Sequence, residues 1–179
     1  LPYRPGERLA LSLTALGPSF IKLGQALSVR SDLVGEAVAE DLAALQDRLP
    51  PFPARAARDL IEAELGAPVS ALFARFDDKA VAAASIAQVH FAETAAGEKV
   101  AVKLLRPGIE DAFARDLDLF EWLAGLAERL GPEMRRLRPV EVVETLADSV
   151  RVEMDLRMEA AATDELRSNF AGEDGFRVP

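Results

Sequence analysis

The chain has 179 residues, 50% of them hydrophobic and 28% charged, which is enough apolar material to offset chain entropy and to exclude disorder over its whole length. With no cysteine and one histidine, His90, it excludes disulfides, thiolate metal sites, iron-sulfur clusters and most histidine-based chemistry. Thirty acidic against 21 basic residues give a net charge of -9, which argues against nucleic acid as a partner, and against an anionic membrane surface unless the basic residues gather on one face. No apolar run reaches the roughly 18 residues of a membrane span. Leu1 to Pro5 show neither an initiator Met nor a signal pattern, so the numbering is expected to begin inside a longer chain.

Pro5 to Ala15, with Leu9, Leu13 and Leu16 at helical spacing, predicts a short helix ending near Gly17. A second helix starts after Pro18 and runs to Arg30 on Phe20, Leu23, Leu27 and Val29, and Ser31-Asp32 then offers caps for the next element. Glu36 to Gln46 reads as a third helix with Val38, Leu42 and Leu45 inward, ended by the three prolines of Leu49 to Pro53. A fourth, Ala54 to Leu65, is closed by Gly66 at a C-cap. After Pro68 the period shortens. The segments around Leu72 to Phe76, Val81 to Ser85, Ile86 to Phe91 and Val100 to Leu105 predict three strands, the last two segments forming an antiparallel hairpin about Ala96-Gly97-Glu98. Pro107-Gly108 ends the hairpin. Ile109 to Leu130 reads as a long amphipathic helix with Trp122 among its apolar positions, and Pro139 to Phe170 as a second long helix. Gly175 to Pro179 reads as the opening of a strand. A helical stretch followed by an antiparallel sheet carrying long helices is an α+β architecture, with a boundary near residue 70.

On the strand Val100 to Leu105, Ala101, Lys103 and Leu105 share one face, so Lys103 projects from a largely apolar strand. Its ammonium needs a partner or water. One reading is a sheet-edge lysine whose stem packs while its head reaches solvent. The other is the phosphate-binding lysine that a Val-Ala-Val-Lys strand carries in kinases. That second reading asks for a carboxylate on a following helix, and Glu153, Asp155 and Glu159 are available. On one continuous helix Asp155 and Glu159 share a face, whereas Glu153 and Asp155 point about 200° apart, so they cannot all serve one lysine. The plain alternative is a solvated helix face with i,i+4 pairing.

Ala82, Ala83, Ala84 and Ser85 stand at the hairpin's entry, where a kinase keeps a glycine-rich loop of backbone amides. Alanine still lets the backbone approach a phosphate, but it makes positive φ costly and stiffens the loop. Read alone, these residues serve equally as a helix turn or strand filler. In Phe20 to Gln25, Lys22 and Gln25 lie three apart on one helical face, and Gly24 beside them costs roughly 1 kcal/mol of helix stability relative to alanine, a sign of close packing. A small residue at a helix crossing with a lysine at its rim would explain the same residues.

In order and spacing these four motifs closely resemble the UbiB (AarF, ABC1-type) family of atypical kinase-like proteins associated with ubiquinone biosynthesis. Leu16 to Gln25 matches the family's KxGQ signature and Leu45 to Pro53 its following segment, while Ala82 to His90 is similar to its alanine-rich loop and strand. Val100 to Lys103 is similar to the nucleotide-lysine strand, Arg106 to Ile109 to the link before the next helix, and Glu153 to Asp155 to the ExD motif. Leu156 and Ala162 depart from the family, which often has an aromatic and an asparagine there.

The resemblance implies residues 1–70 as a helical KxGQ extension and residues 71–179 as an incomplete kinase-like N-lobe. It implies that Lys103 contacts nucleotide phosphates and pairs with Glu159, and that Ala82, Ala83, Ala84 and Ser85 form the loop over the phosphates. Lys22 and Gln25 would cover the site where a protein kinase admits its peptide, with Glu153 and Asp155 facing them across the cleft, which argues against protein phosphorylation. ATP with magnesium is the implied cofactor, the magnesium ligands being expected in a C-terminal lobe outside these residues, and the chain without that lobe is expected to be inert. Implied partners are prenylated quinone precursors or membrane lipid and other quinone-biosynthesis proteins, in a cytoplasmic setting at the periphery of the inner membrane. The reading from another class is a noncatalytic, pseudokinase-like scaffold that binds lipid or proteins through the helices of residues 7–65.

Overall fold

The computed structural model describes residues 3–45, 49–173, 175 and 178. Helix α1 (Pro5–Leu16) starts where the Glu7 carboxylate accepts the Arg4 N–H at 2.7 Å. It packs on α2 (Pro18–Ser28) and α4 (Glu36–Ala43) along a narrow side, so only Leu13 of its three expected inward leucines is buried, while Leu9 and Leu16 are exposed. Helix α2 buries Ile21 and Gly24 and half-buries Phe20, Leu23 and Leu27. Val29, expected inward, lies past the last turn of α2 and is 80% exposed. Ser31 and Asp32 do not cap the short α3 (Ser31–Val34), because Asp32 instead accepts two hydrogen bonds from Arg30, both at 2.8 Å. In α4, Ala39 and Leu42 are buried and Val38 is half-buried. The expected end of this helix at Gln46 lies outside the described residues. Helix α5 (Ala54–Leu65) ends as expected at Gly66, whose φ of 69° is the left-handed conformation that a C-cap of this kind requires and glycine adopts without penalty. The short α6 (Val69–Leu72) leads into the sheet.

The sheet is antiparallel and has four strands: β1 (Phe73–Phe76), β2 (Ala82–Ala83), β3 (Ala87–Thr94) and β4 (Lys99–Leu105). The strand beyond the three expected is the two-residue β2, too short to give a periodic signal. Val89 pairs with Ala82 on one side and Lys103 on the other, so β3 is central and β4 lies opposite β1 and β2. The β3–β4 hairpin turns at Gly97 as expected.

Cross-strand partners share a face, so this register also sorts the side chains. Gln88, His90, Ala92, Val102 and Leu104 face a small core with Ala57, Ile61 and Val69, which α5 and α6 supply. Ala82, Val89, Phe91, Ala101 and Lys103 share the opposite face, which is largely open, with Phe91 54% exposed.

Helix α7 (Ile109–Arg129) and α9 (Pro139–Met154), joined through α8 (Pro132–Arg136), build the larger core from Phe113, Phe120, Val143, Leu146 and Val150. Ile86 caps it from the turn between β2 and β3. Phe20 of α2 meets Phe120 edge-on, with ring centroids 5.0 Å apart, and so ties the N-terminal helices to it. Trp122, expected among the apolar positions of α7, lies off its buried stripe and is 64% exposed.

The single helix expected over Pro139 to Phe170 is two. Asp155 leaves the helical region (φ -84°, ψ 87°), closes α9 and caps α10 (Leu156–Asn169) by accepting the Arg157 N–H at 3.1 Å. Aspartate is a strong N-cap, and this local bond competes with helix continuation. The strand expected at residues 175–179 falls mostly outside the described residues.

Candidate functional site

The site is built on the open face of the sheet. Strand β4 alternates in burial, with Lys103 on the exposed side, and α10 runs alongside it. Lys103 Nζ donates to Glu159 Oε2 at 2.5 Å, and both side chains stay accessible, 39% and 59% exposed. The break at Asp155 makes this meeting possible, because it re-aims the chain so that Glu159 falls in the first turn of a new helix. Two hollows flank the lysine. One, of about 450 Å³, is lined by Lys103, Glu159, Thr163 and Arg167, and the other, of about 770 Å³, by Leu60, Leu65, Lys103, Met154 and Arg157 among others.

The alanine segment forms the tip between β2 and β3. Ala82, Val89 and Lys103 stand in one row across three strands, so the start of the loop is roughly 10 Å from the lysine backbone at the usual strand spacing. The tip is closed by Ala84 N–H donating to the Ala87 carbonyl at 2.8 Å. Among the described residues Arg138 is the only non-glycine with positive φ, so the alanines adopt their conformation without the penalty that would call for glycine. Ala82 is exposed and Ala83 and Ala84 are half-buried, whereas Ser85 is fully buried.

A second ion pair crosses from the N-terminal helices. Lys22 Nζ on α2 donates to Glu153 Oε2 on α9 at 2.6 Å, joining residues 131 apart in sequence, and its side chain is only 13% exposed. Gln25 lies half-buried one turn further along α2. Asp155, expected opposite these residues together with Glu153, is engaged with Arg157. The guanidinium donates to both of its carboxylate oxygens, at 2.8 and 2.9 Å. Those hydrogen bonds hold the Asp155 carboxyl below the ordinary carboxylate range and raise Arg157 above its own. The pairing had no signal in the pattern, since it requires the helix to end at Asp155.

Residues beyond the expected site set also bear on the site. Arg106, directly after β4, donates to the carbonyls of Ala84 and Pro50 at 2.9 and 3.0 Å. Gln88, buried beneath the sheet, holds the chain at Phe52, and the buried His90 bonds Gln88 in turn. An apolar strand presenting two buried polar side chains on the same face was a readable sign of such a network. Among the described residues no group of three His, Asp or Glu side chains is placed to hold a metal ion.

This arrangement of a small antiparallel sheet, a strand lysine paired with a helix carboxylate and a helical extension clamped to the same helices defines an atypical kinase-like module. The model of the ABC1 atypical kinase-like domain matches residues 44–179, and the chain belongs to that family. It is similar to the probable protein kinase UbiB of Marinobacter nauticus, 50% identical over 174 residues, and to that of Pseudomonas aeruginosa, 48% identical over 174 residues. These matches cover 97% of this chain but 32% and 33% of those proteins, so the chain spans about a third of the length of the curated relatives it matches. Among solved structures, the Rv3197-erythromycin complex from Mycobacterium tuberculosis matches with a TM-score of 0.59 at 34% identity, over 87% of this chain and 39% of that one. The fold is therefore α+β, a helical extension followed by a partial kinase-like N-lobe. Among the described residues no helix is long and apolar enough to cross a membrane.

Proposed function

We propose that this chain is the ATP-binding part of a UbiB-type atypical kinase or ATPase that supports ubiquinone biosynthesis, with residues 1–70 as its KxGQ extension and 71–179 as its N-lobe. The observation that carries the reading is the 2.5 Å pair of Lys103 with Glu159 on an open sheet face, in one row with Ala82 and Val89. An ammonium has three donors, so Lys103 can keep Glu159 with one and offer the others to phosphate oxygens. Glu159 fixes its direction, and the small residues Ala82 to Ser85 let the loop's backbone approach the phosphates closely. Ala82, Val89 and Ala101 give the same face a smooth apolar surface of the kind a purine base packs on.

Bound ATP supplies the phosphoryl group, and magnesium spreads its charge. In this reading the metal ligands and the catalytic aspartate belong to a kinase C-lobe beyond these residues. Lys22, held by Glu153, keeps α2 against α9. That clamp favours a small acceptor or water over a polypeptide, and prenylated quinone precursors or membrane lipid are the proposed context of the whole protein's work, at the cytoplasmic side of a membrane. The test is a titration of MgATP into the whole protein and its Lys103→Ala variant. A lost charge-assisted contact of 1.5–3 kcal/mol corresponds to an affinity about 10- to 150-fold weaker. Equal affinity in the two proteins would overturn the reading.

A further inference from the structure

Arg106 follows β4 and turns its half-buried side chain back toward the alanine loop. Its Nε donates to the Ala84 carbonyl at 2.9 Å, its Nη2 to the Pro50 carbonyl at 3.0 Å, and its backbone N–H to the Ile86 carbonyl at 2.9 Å. The guanidinium carbon lies 6.0 Å from the centroid of the Phe52 ring. One residue thus holds both flanks of Ser85 and joins them to the proline segment of residues 49–53.

That segment is itself fixed from below. The Gln88 side-chain carbonyl accepts the Phe52 N–H at 2.9 Å, which orients the amide so that its NH₂ group faces the Phe52 carbonyl at 3.4 Å and His90 Nε2 at 2.8 Å. His90 Nδ1 then donates to the Asp77 carbonyl at 2.8 Å, since a carbonyl only accepts. Gln88 and His90 are 1% and 0% exposed, and Phe76 stacks on the imidazole at 5.0 Å. Arg106 therefore ties the loop to a buried, hydrogen-bonded base.

We propose that Arg106 is the positioning residue of the alanine loop, setting how tightly the loop grips the phosphates of a nucleotide; this rests on the ATP-binding reading above. A loop that covers a phosphate gains affinity only if it is aimed before the ligand arrives. The bond from Ala84 to Ala87 closes the tip but does not set its tilt against the sheet, and an outside tether does. The planar fork of arginine reaches two carbonyls at once, where a lysine ammonium is a single movable point.

The test uses the whole protein with Arg106→Gln and Arg106→Lys, and Lys103→Ala alongside. Three readouts are compared: amide hydrogen exchange over residues 83–87, affinity for MgATP, and affinity for AMP, which lacks the outer phosphates. Arg106→Gln is expected to raise exchange in the loop at least about tenfold and to weaken MgATP about 5- to 20-fold, less than the loss of a direct charged contact because Arg106 acts through the loop, with AMP within about twofold. Arg106→Lys is expected to fall between, and it carries the comparison if Arg106→Gln does not fold. Equal losses for ATP and AMP would make Arg106 merely structural and overturn the proposal, as would an unchanged MgATP affinity. If MgATP affinity is unchanged in Lys103→Ala as well, the ATP-binding reading falls together with this one; if Lys103→Ala alone weakens binding, only the role of Arg106 falls.

Discussion

Two lysines of this chain meet two carboxylates, and their surroundings set them apart. Lys22 keeps 13% of its side chain exposed and lies on a helix that buries Ile21 and Gly24 against its neighbours. Its pair with Glu153, whose own side chain is 41% exposed, joins α2 to α9. Lys103 keeps 39% exposed on an open sheet face, and its partner Glu159 keeps 59%. The same ammonium-carboxylate chemistry therefore serves architecture in one place and availability in the other. A screened, solvated pair adds little to stability and can exchange a contact for a ligand oxygen, whereas a pair at a helix crossing fixes the crossing.

The comparison can be broken most severely at Gly24. A Cβ there would sit 2.4 Å from Leu45 Cδ1 and 2.8 Å from Leu13 Cδ1, ends of side chains that can give way for one methyl but not for a branched residue. Gly24→Val is expected to cost about 3 kcal/mol, read from denaturant melts, as overpacking of a tight crossing. A melt like the parent's would mean that α2 is not held closely. Next comes Lys22→Met, which leaves Glu153 without its partner and is expected to cost about 1 kcal/mol. Glu159→Gln sharpens the contrast, since its stability should stay within about 0.5 kcal/mol of the parent. If the last two effects came in the opposite order, the division between clamp and site would be wrong.

The smallest effect concerns acid. The Asp155 carboxyl titrates below its unfolded value of about 3.9, so its contribution is complete above that value and is lost as pH falls through the lower folded one. Below about pH 4 the start of α10 should loosen, seen as a shift of the Arg157 amide signal that Asp155→Asn does not share. An identical acid response in the two proteins would remove the carboxylate from the cap.

Much of this was legible in the residues themselves. Gly66 marked the end of α5, the alternation in β4 put Lys103 on the open face, and the turn at Gly97 set the hairpin. Where periodicity misled, a local polar interaction had won. Asp155 caps a new helix inside a pattern that reads as one continuous helix, because the 3.6-residue repeat is restored after a single irregular residue. Asp32 pairs with Arg30 instead of capping α3, and Val29 and Trp122 lie on surfaces that nothing in the chain covers among the described residues. Arg106 was out of reach for another reason: its partners are backbone carbonyls, which every residue has, so no residue type announces them.

The central claim is that Lys103 is the lysine that meets nucleotide phosphates. An acyl-phosphate derivative of ATP delivers its acyl group to whichever amine lies beside the phosphates, and the chain offers four lysines, Lys22, Lys79, Lys99 and Lys103. Peptide mass spectrometry of the whole protein after brief labelling should find the mark on Lys103, suppressed by excess ATP. A mark on the other three alone, or one on Lys103 that ATP does not suppress, would contradict the account.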